Sequence, residues 1–178
     1  MDRYTDILHR CIKRDRRAQM EFYTLFCRGV YNSCFRILNN PMDAEEVMQE
    51  TFIKFFDHVQ DYVLPYPDLE RKLRRMAINA SIDVIRRRRV LLVPIDDNLD
   101  CAEDVYGEEE EADISVEQIQ QAIAQLPDGY RTIVNLRLIE EFSFEHIAQI
   151  LGIAPSTARS QFVRARKKLE ILIKKLVV

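Results

Sequence analysis

Between Leu151 and Leu169 the chain reads LGIAPSTARSQFVRARKKL, and from Pro155 to Leu169 five basic residues occur without a single acid. Guanidinium and ammonium groups at this density suit a polyanion, and small hydroxyl residues beside them can donate to phosphate or to a base edge. Arg159 and Arg164 present forks that match the O6 and N7 acceptors of guanine, while the amide of Gln161 matches adenine. Ser156, Thr157 and Ser160 are small enough for close approach. Lys167 and Lys168 lie further along, where phosphate contacts position a helix on a duplex. A helix that merely faces water mixes Glu with Lys for i, i+4 pairing, and this stretch does not. The chemistry indicated is contact with double-stranded DNA.

Those side chains need a helix that gathers them on one side. Ala158, Phe162, Ala165, Leu169, Leu172, Ile173 and Leu176 fall in an apolar arc of roughly 100° at about 100° per residue. Ser156, Arg159, Ser160, Val163, Arg164 and Lys167 take the opposite face, with Thr157 and Gln161 at its edge. Pro155 suits the first helical position, where a missing N–H costs nothing. Gly152 suits the left-handed residue that ends the preceding helix, which Ser143 caps at its start. A short helix, the connection GIA and a basic helix make a helix-turn-helix, whose second helix enters the major groove. Upstream, Ser115 and Gln118 form a capping box before a helix through Leu126. LPDGY is then a turn, and Tyr130 to Ile139 a further helix.

A formal net charge of −3 over 178 residues opposes binding to a polyanion. The acidity is local. Asp96 to Asp113 holds ten acids and no base, and outside it 26 basic residues face 19 acidic ones. The acidic segment lacks helical periodicity, which predicts a flexible linker over 93–114. It acts either as a solvated tether or as a polyanion competing with DNA for the basic faces. The expected architecture is all-α, with two small helical domains at 1–92 and 115–178. The second is a helix-turn-helix domain, winged-helix-like without the wing. Only four glycines and six prolines argue against a turn-rich β protein.

In the first half, Tyr4, Ile7, Leu8, Cys11 and Ile12 follow amphipathic helical spacing. A longer helix is expected from about Asp15 to Leu38, with Phe22, Leu25, Phe26, Val30, Ile37 and Leu38 as core candidates. NNPMDAEE restarts the chain. Asp43 is read as the N-cap of a third helix to about Val59, with Glu46 at the capping-box position. Pro65 and Pro67 mark a loop, and Asp68 is expected to cap a fourth helix ending in IRRRR. Cys11, Cys27, Cys34 and Cys101 form no C-x-x-C pair, so neither a metal nor a cofactor is expected. They read instead as three small buried hydrophobes and one linker thiol. No apolar run approaches the roughly 18 residues of a membrane span, and the N-terminus lacks a signal-peptide pattern. The expected location is the cytoplasm, without membrane insertion.

In order, the chain presents DAEEVMQETFIKFF, RRMAINASIDVIRRRR, the acidic segment, and LPDGYRTIVNLRLIEEFSFEHIAQILGIAPSTARSQFVRARKKL. This series covers nearly the whole chain and resembles the RNA polymerase sigma factors, in particular the small extracytoplasmic-function type of the sigma-70 family. The resemblance implies an N-terminal domain that binds core polymerase and melts the −10 promoter element, and a C-terminal domain that reads the −35 element. It implies core RNA polymerase (the β′ clamp helices and β flap) and promoter DNA as partners, an anti-sigma factor as regulator, and no enzymatic activity. The third helix would dock on the clamp helices through Asp43, Glu46, Gln49, Glu50 and Phe52. On the fourth, Arg71, Lys72, Arg74, Arg75, Arg86 and Arg87 would neutralise phosphate. Asn79 would bond a base edge and Asp83 orient a neighbour. The loop Asp61 to Leu69 matches one that captures a flipped base, where Tyr62 and Tyr66 either stack on that base or anchor the loop to the core.

Four departures from the family pattern stand out. Lys72 replaces a common aromatic, which removes the wedge of one strand-separation scheme, and Ile78 replaces a basic residue. Ala154 replaces a serine N-cap, and Gln161 a common arginine. The main rival, a stand-alone helix-turn-helix regulator, should dimerise on palindromic half-sites, and no dimerisation helix is evident. A nuclease would want clustered carboxylates, and the acids outside the linker are dispersed. Replacing Gln161 with arginine is expected to shift the preferred −35 sequence while leaving DNA binding intact. Selection from a randomised duplex pool checks this, and an unchanged preference would contradict it.

Overall fold

The computed structural model describes the backbone of residues 3–62, 66–91 and 114–177. The expected linker over 93–114 therefore lies almost wholly outside the described residues, as do Cys101 and the loop residues 63–65. Among the described residues there are helices and no strands. By contacts the chain divides into two compact units, Met1–Val84 and Ile85–Val178.

The first unit holds α1 (Arg3–Ile12), α2 (Arg16–Leu38), α3 (Pro41–Asp57), a 3₁₀ turn (Val59–Asp61) and most of α4 (Tyr66–Leu91). The Asp15 carboxylate starts α2 by accepting from the backbone N–H groups of Arg17 and Ala18. The same carboxylate takes two hydrogen bonds from Arg10, at 3.1 and 2.9 Å. The arginine first, and the backbone donors after it, hold this acid below its usual range. Asn39 ends α2 in the left-handed conformation, φ 52°. Asn40, not Asp43, caps α3, accepting from the N–H groups of Met42 and Asp43 with Pro41 just inside the helix. A proline at the first position is preorganised for a helix start, so the cap of α3 lies three residues before the expected one. Similarly α4 starts at Tyr66, which places Asp68 inside the first turn, where it pairs with Arg71 at 3.1 Å.

The core of this unit is aromatic. Phe22 stacks on Phe55 with ring centroids 4.8 Å apart and planes 7° from parallel, and Phe26 and Phe52 close around it. Leu69, Leu73, Ala77, Ile78 and Ile82 of α4 are buried, so the apolar Ile78 serves the core. Leu25 does not join them and is 40 % exposed. The stripe through Phe22, Phe26, Val30, Cys34 and Ile37 is centred about 120° away from it at 100° per residue. Cys11 and Cys34 are buried as expected, and burial pushes each thiol up to about 11. Cys27 is only half-buried.

The second unit contains α5 (Val116–Ala124), α6 (Asp128–Val134), a π turn (Asn135–Ile139), α7 (Phe144–Leu151) and α8 (Pro155–Val177). The capping box is present: Gln118 N–H donates to Ser115 Oγ at 3.2 Å, and Ser115 N–H to Gln118 Oε1 at 2.9 Å. The expected helix Tyr130–Ile139 starts earlier and changes character at Asn135. Glu140 N–H there reaches back five residues to the Asn135 carbonyl at 3.0 Å. Buried Arg131 ties α6 to the preceding turn by donating to the Leu126 carbonyl at 2.8 Å and pairing with Asp128.

Helices α5, α6 and α7 all pack on α8. Their shared core includes Ala122, Leu126, Val134, Ala165 and Leu169, with Leu172, Ile173 and Leu176 partly buried against it. Replacing Phe22 with alanine is expected to cost about 3–5 kcal/mol, and replacing Leu25 less than about 1 kcal/mol. Urea unfolding followed by circular dichroism checks both, and equal losses would place Leu25 in the core after all.

Candidate nucleic-acid interface

Two turns position the basic helix. Ser143 Oγ accepts from His146 N–H at 3.2 Å and starts α7. Gly152 ends it at φ 68°, a conformation that strains any side chain with a Cβ. Gly152 and Ile153 both donate to the Ala148 carbonyl, and Pro155 then opens α8. Ala158 and Ala165 are fully buried and Leu169 nearly so, which fixes the rotation of α8. Ser156, Arg159, Ser160, Arg164 and Lys167 consequently face solvent together, with Thr157, Gln161 and Lys168 half-buried at the margins. Val163, within the same face, is 52 % exposed.

The face is partly preset. Ser160 Oγ donates to the Thr157 carbonyl at 3.0 Å. Arg166, on the flank, pairs with Glu170 at 3.1 Å. Arg159 lies 3.6 Å from Glu145 of α7 and over the Phe144 ring, 5.4 Å from its centroid. Sequence reasoning missed both partners. They are fourteen and fifteen residues away across a turn, a separation that no helical period reports.

In the first unit, Arg71, Lys72, Arg75, Asn79 and Asp83 are exposed on α4, within about 120° of arc at 100° per residue. Arg86 and Arg87 are exposed further along the same helix. Arg74 points elsewhere. It is half-buried, bonds Glu70 at 2.7 Å and lies beside Gly29 of α2, so it serves the packing of α4 on α2. Tyr62 is half-buried and stacks on Phe55 with centroids 5.4 Å apart and planes at 13°. Lys72 Nζ sits 5.2 Å from the centroid of the same ring. The cation that replaces an aromatic thus lies against the loop tyrosine. The Tyr66 side chain lies outside the described residues.

On α3, Glu46, Gln49 and Glu50 are exposed and Asp43 is half-buried. Phe52 is 3 % exposed and packs edge-on against Tyr23, centroids 4.9 Å apart. It supports the face from beneath and does not stand on it. Met42 and Ile53, unforeseen from sequence, are 81 % and 61 % exposed. Both lie opposite the buried stripe of Ala44, Val47, Met48, Thr51 and Phe55, which leaves two apolar side chains among the acids.

Among the described residues no His, Cys, Asp and Glu side chains cluster as a metal site, and no helix is long and apolar enough to cross a membrane. The arrangement can bind a polyanion through α8 and α4 and a polar, partly apolar protein surface through α3.

Comparison with known proteins gives the family. Residues 22–90 match Sigma-70 region 2 and residues 116–169 match Sigma-70, region 4. The chain is 32 % identical over 179 residues to the ECF RNA polymerase sigma factor SigW of Bacillus subtilis (strain 168), covering 88 % of this chain and 89 % of that one. It is 36 % identical over 144 residues to the ECF RNA polymerase sigma factor SigE of Mycolicibacterium smegmatis, covering 79 % and 55 %. The fold is similar to that of the sigma factor RpoE from Bartonella quintana, solved in complex with the anti-sigma factor NepR. That likeness has a TM-score of 0.54 at 21 % identity and covers 87 % of this chain and 96 % of the other. The chain belongs to the ECF-type RNA polymerase sigma factors of the sigma-70 family, which direct RNA polymerase to promoters.

Proposed function

We propose that the exposed basic face of α8 reads the −35 element, and that α4 together with the Tyr62 loop holds the opened −10 strand. In this reading α3 docks on the β′ clamp helices of core polymerase, and the second unit also meets the β flap. The working domains are 1–92 and 115–178, joined by the acidic linker 93–114. The protein acts in the cytoplasm by binding alone, without catalysis, metal or cofactor. The observation that carries the reading is the division of α8: one face buried in a shared core, the opposite face holding Arg159, Arg164 and Lys167 with small polar residues between.

Physical considerations support each assignment. Exposed arginines along α4 supply phosphate neutralisation, with Asn79 among them as a hydrogen-bonding group. On α3, Met42 and Ile53 add apolar anchors to Glu46, Gln49 and Glu50, a mixture that suits a protein interface. A tether between two modest contacts raises the effective concentration of the second once the first is made. An anti-sigma factor, present in the complex of the Bartonella relative, would act by covering these same faces.

Transcription from a candidate promoter with purified core polymerase, with and without this protein, tests the reading. Promoter-specific initiation is expected only when both are present. Tight, specific DNA binding without core would favour a stand-alone regulator. Replacing Ile53 with lysine is expected to weaken core binding by about tenfold, the scale of one lost interface anchor, with helix content unchanged. Unaltered core binding would remove α3 from the docking surface.

A further inference from the structure

Arg159 leaves α8 with two companions from α7. One of its terminal nitrogens is 3.6 Å from Glu145 Oε1, and its guanidinium lies over the Phe144 ring. Phe144 is itself held in place, edge-on against Phe162 of α8 with centroids 5.6 Å apart. Arg137 also lies over that ring, 5.1 Å from the centroid, while donating to the Phe142 carbonyl at 3.1 Å. Glu145 is the second residue of α7, where the positive end of the helix favours a carboxylate. A backbone hydrogen bond first, then the Ser143 hydroxyl and the two arginines, keep this acid below its usual range. It is therefore charged at neutral pH, beside a face that meets DNA.

A carboxylate in that position repels phosphate, and as an exposed ion pair it adds little to stability. Its effect on Arg159 is more telling. A guanidinium compensated by a neighbouring carboxylate attracts a passing phosphate weakly. It still offers two parallel N–H donors to the neutral O6 and N7 acceptors of guanine. We infer that Glu145, with Phe144 beneath the guanidinium, is a positioning residue that sets DNA sequence specificity by aiming Arg159 at a base and withholding it from the phosphate backbone. This deepens, and rests on, the assignment of the α8 face to DNA.

The test uses the full chain assembled with core polymerase, binding a pool of promoter duplexes randomised across the −35 element at several salt concentrations. R159A first identifies the base position that Arg159 reads. At that position E145A is expected to lower the preference by about tenfold, the scale of one two-pronged contact. Its salt dependence should steepen by about one phosphate contact. E145Q keeps an acceptor but no charge, so most of the preference should return while the steeper slope stays. E145A added to R159A should change the base preference no further.

If R159A shifts the preference and E145A leaves both preference and slope as in wild type, the inference is overturned and the DNA assignment stands. If R159A itself shifts nothing, the DNA assignment fails. Should E145A lose helix content, E145Q decides, and a wild-type slope in that variant overturns the inference.

Discussion

Burial along one side of α8 fixes its rotation, and the binding chemistry of the second unit depends on that rotation. Ala158 and Ala165 are fully buried and Leu169 is 6 % exposed, where α5, α6 and α7 converge on the helix. Alanine at two of these places lets neighbouring backbones approach closely, and a larger side chain would overpack the contact. Turning α8 by one residue would bury an arginine without a partner, at a cost far above any gain from repacking. The αL turn at Gly152 sets where α8 begins. The basic face is thus the complement of the core.

The same logic governs α3 in the first unit. Stacking of Phe22 on Phe55, with Phe52 beside them, commits one side of α3 to the aromatic core. The opposite side is then obliged to carry Met42, Glu46, Gln49 and Ile53 into solvent. Met42 and Ile53 on that side suit the protein-facing role proposed for α3. In the proposed reading α3 supplies the surface for polymerase and α8 the surface for promoter DNA, and each face arises from one-sided burial of a helix.

Much of this was legible in the residues. The faces of α8 could be read from period alone because its apolar positions repeat over about five turns, and Ser115, Ser143, Gly152 and Pro155 mark ends by side-chain and backbone chemistry that needs no tertiary partner. Errors fell where two local signals competed. Asn40–Pro41 outranked Asp43 as the start of α3 because proline fixes the first helical φ. Leu25 follows helical spacing from Phe22 but sits off the centre of a longer stripe. The widening at Asn135 leaves no mark in the spacing of apolar residues. Glu145 beside Arg159 was invisible for a different reason: the pair meets only after the turn folds α7 back on α8.

The proposed role of α8 requires its basic face to lie against promoter DNA while the protein is bound to core polymerase. A photo-activatable side chain placed at Ser160, in the full chain assembled with core polymerase on a promoter, measures this most directly. Crosslinks confined to the −35 element, and absent when the same group is placed at Ala165 on the buried side, are the predicted result. Crosslinks to polymerase subunits alone, or spread evenly along the duplex, would contradict it.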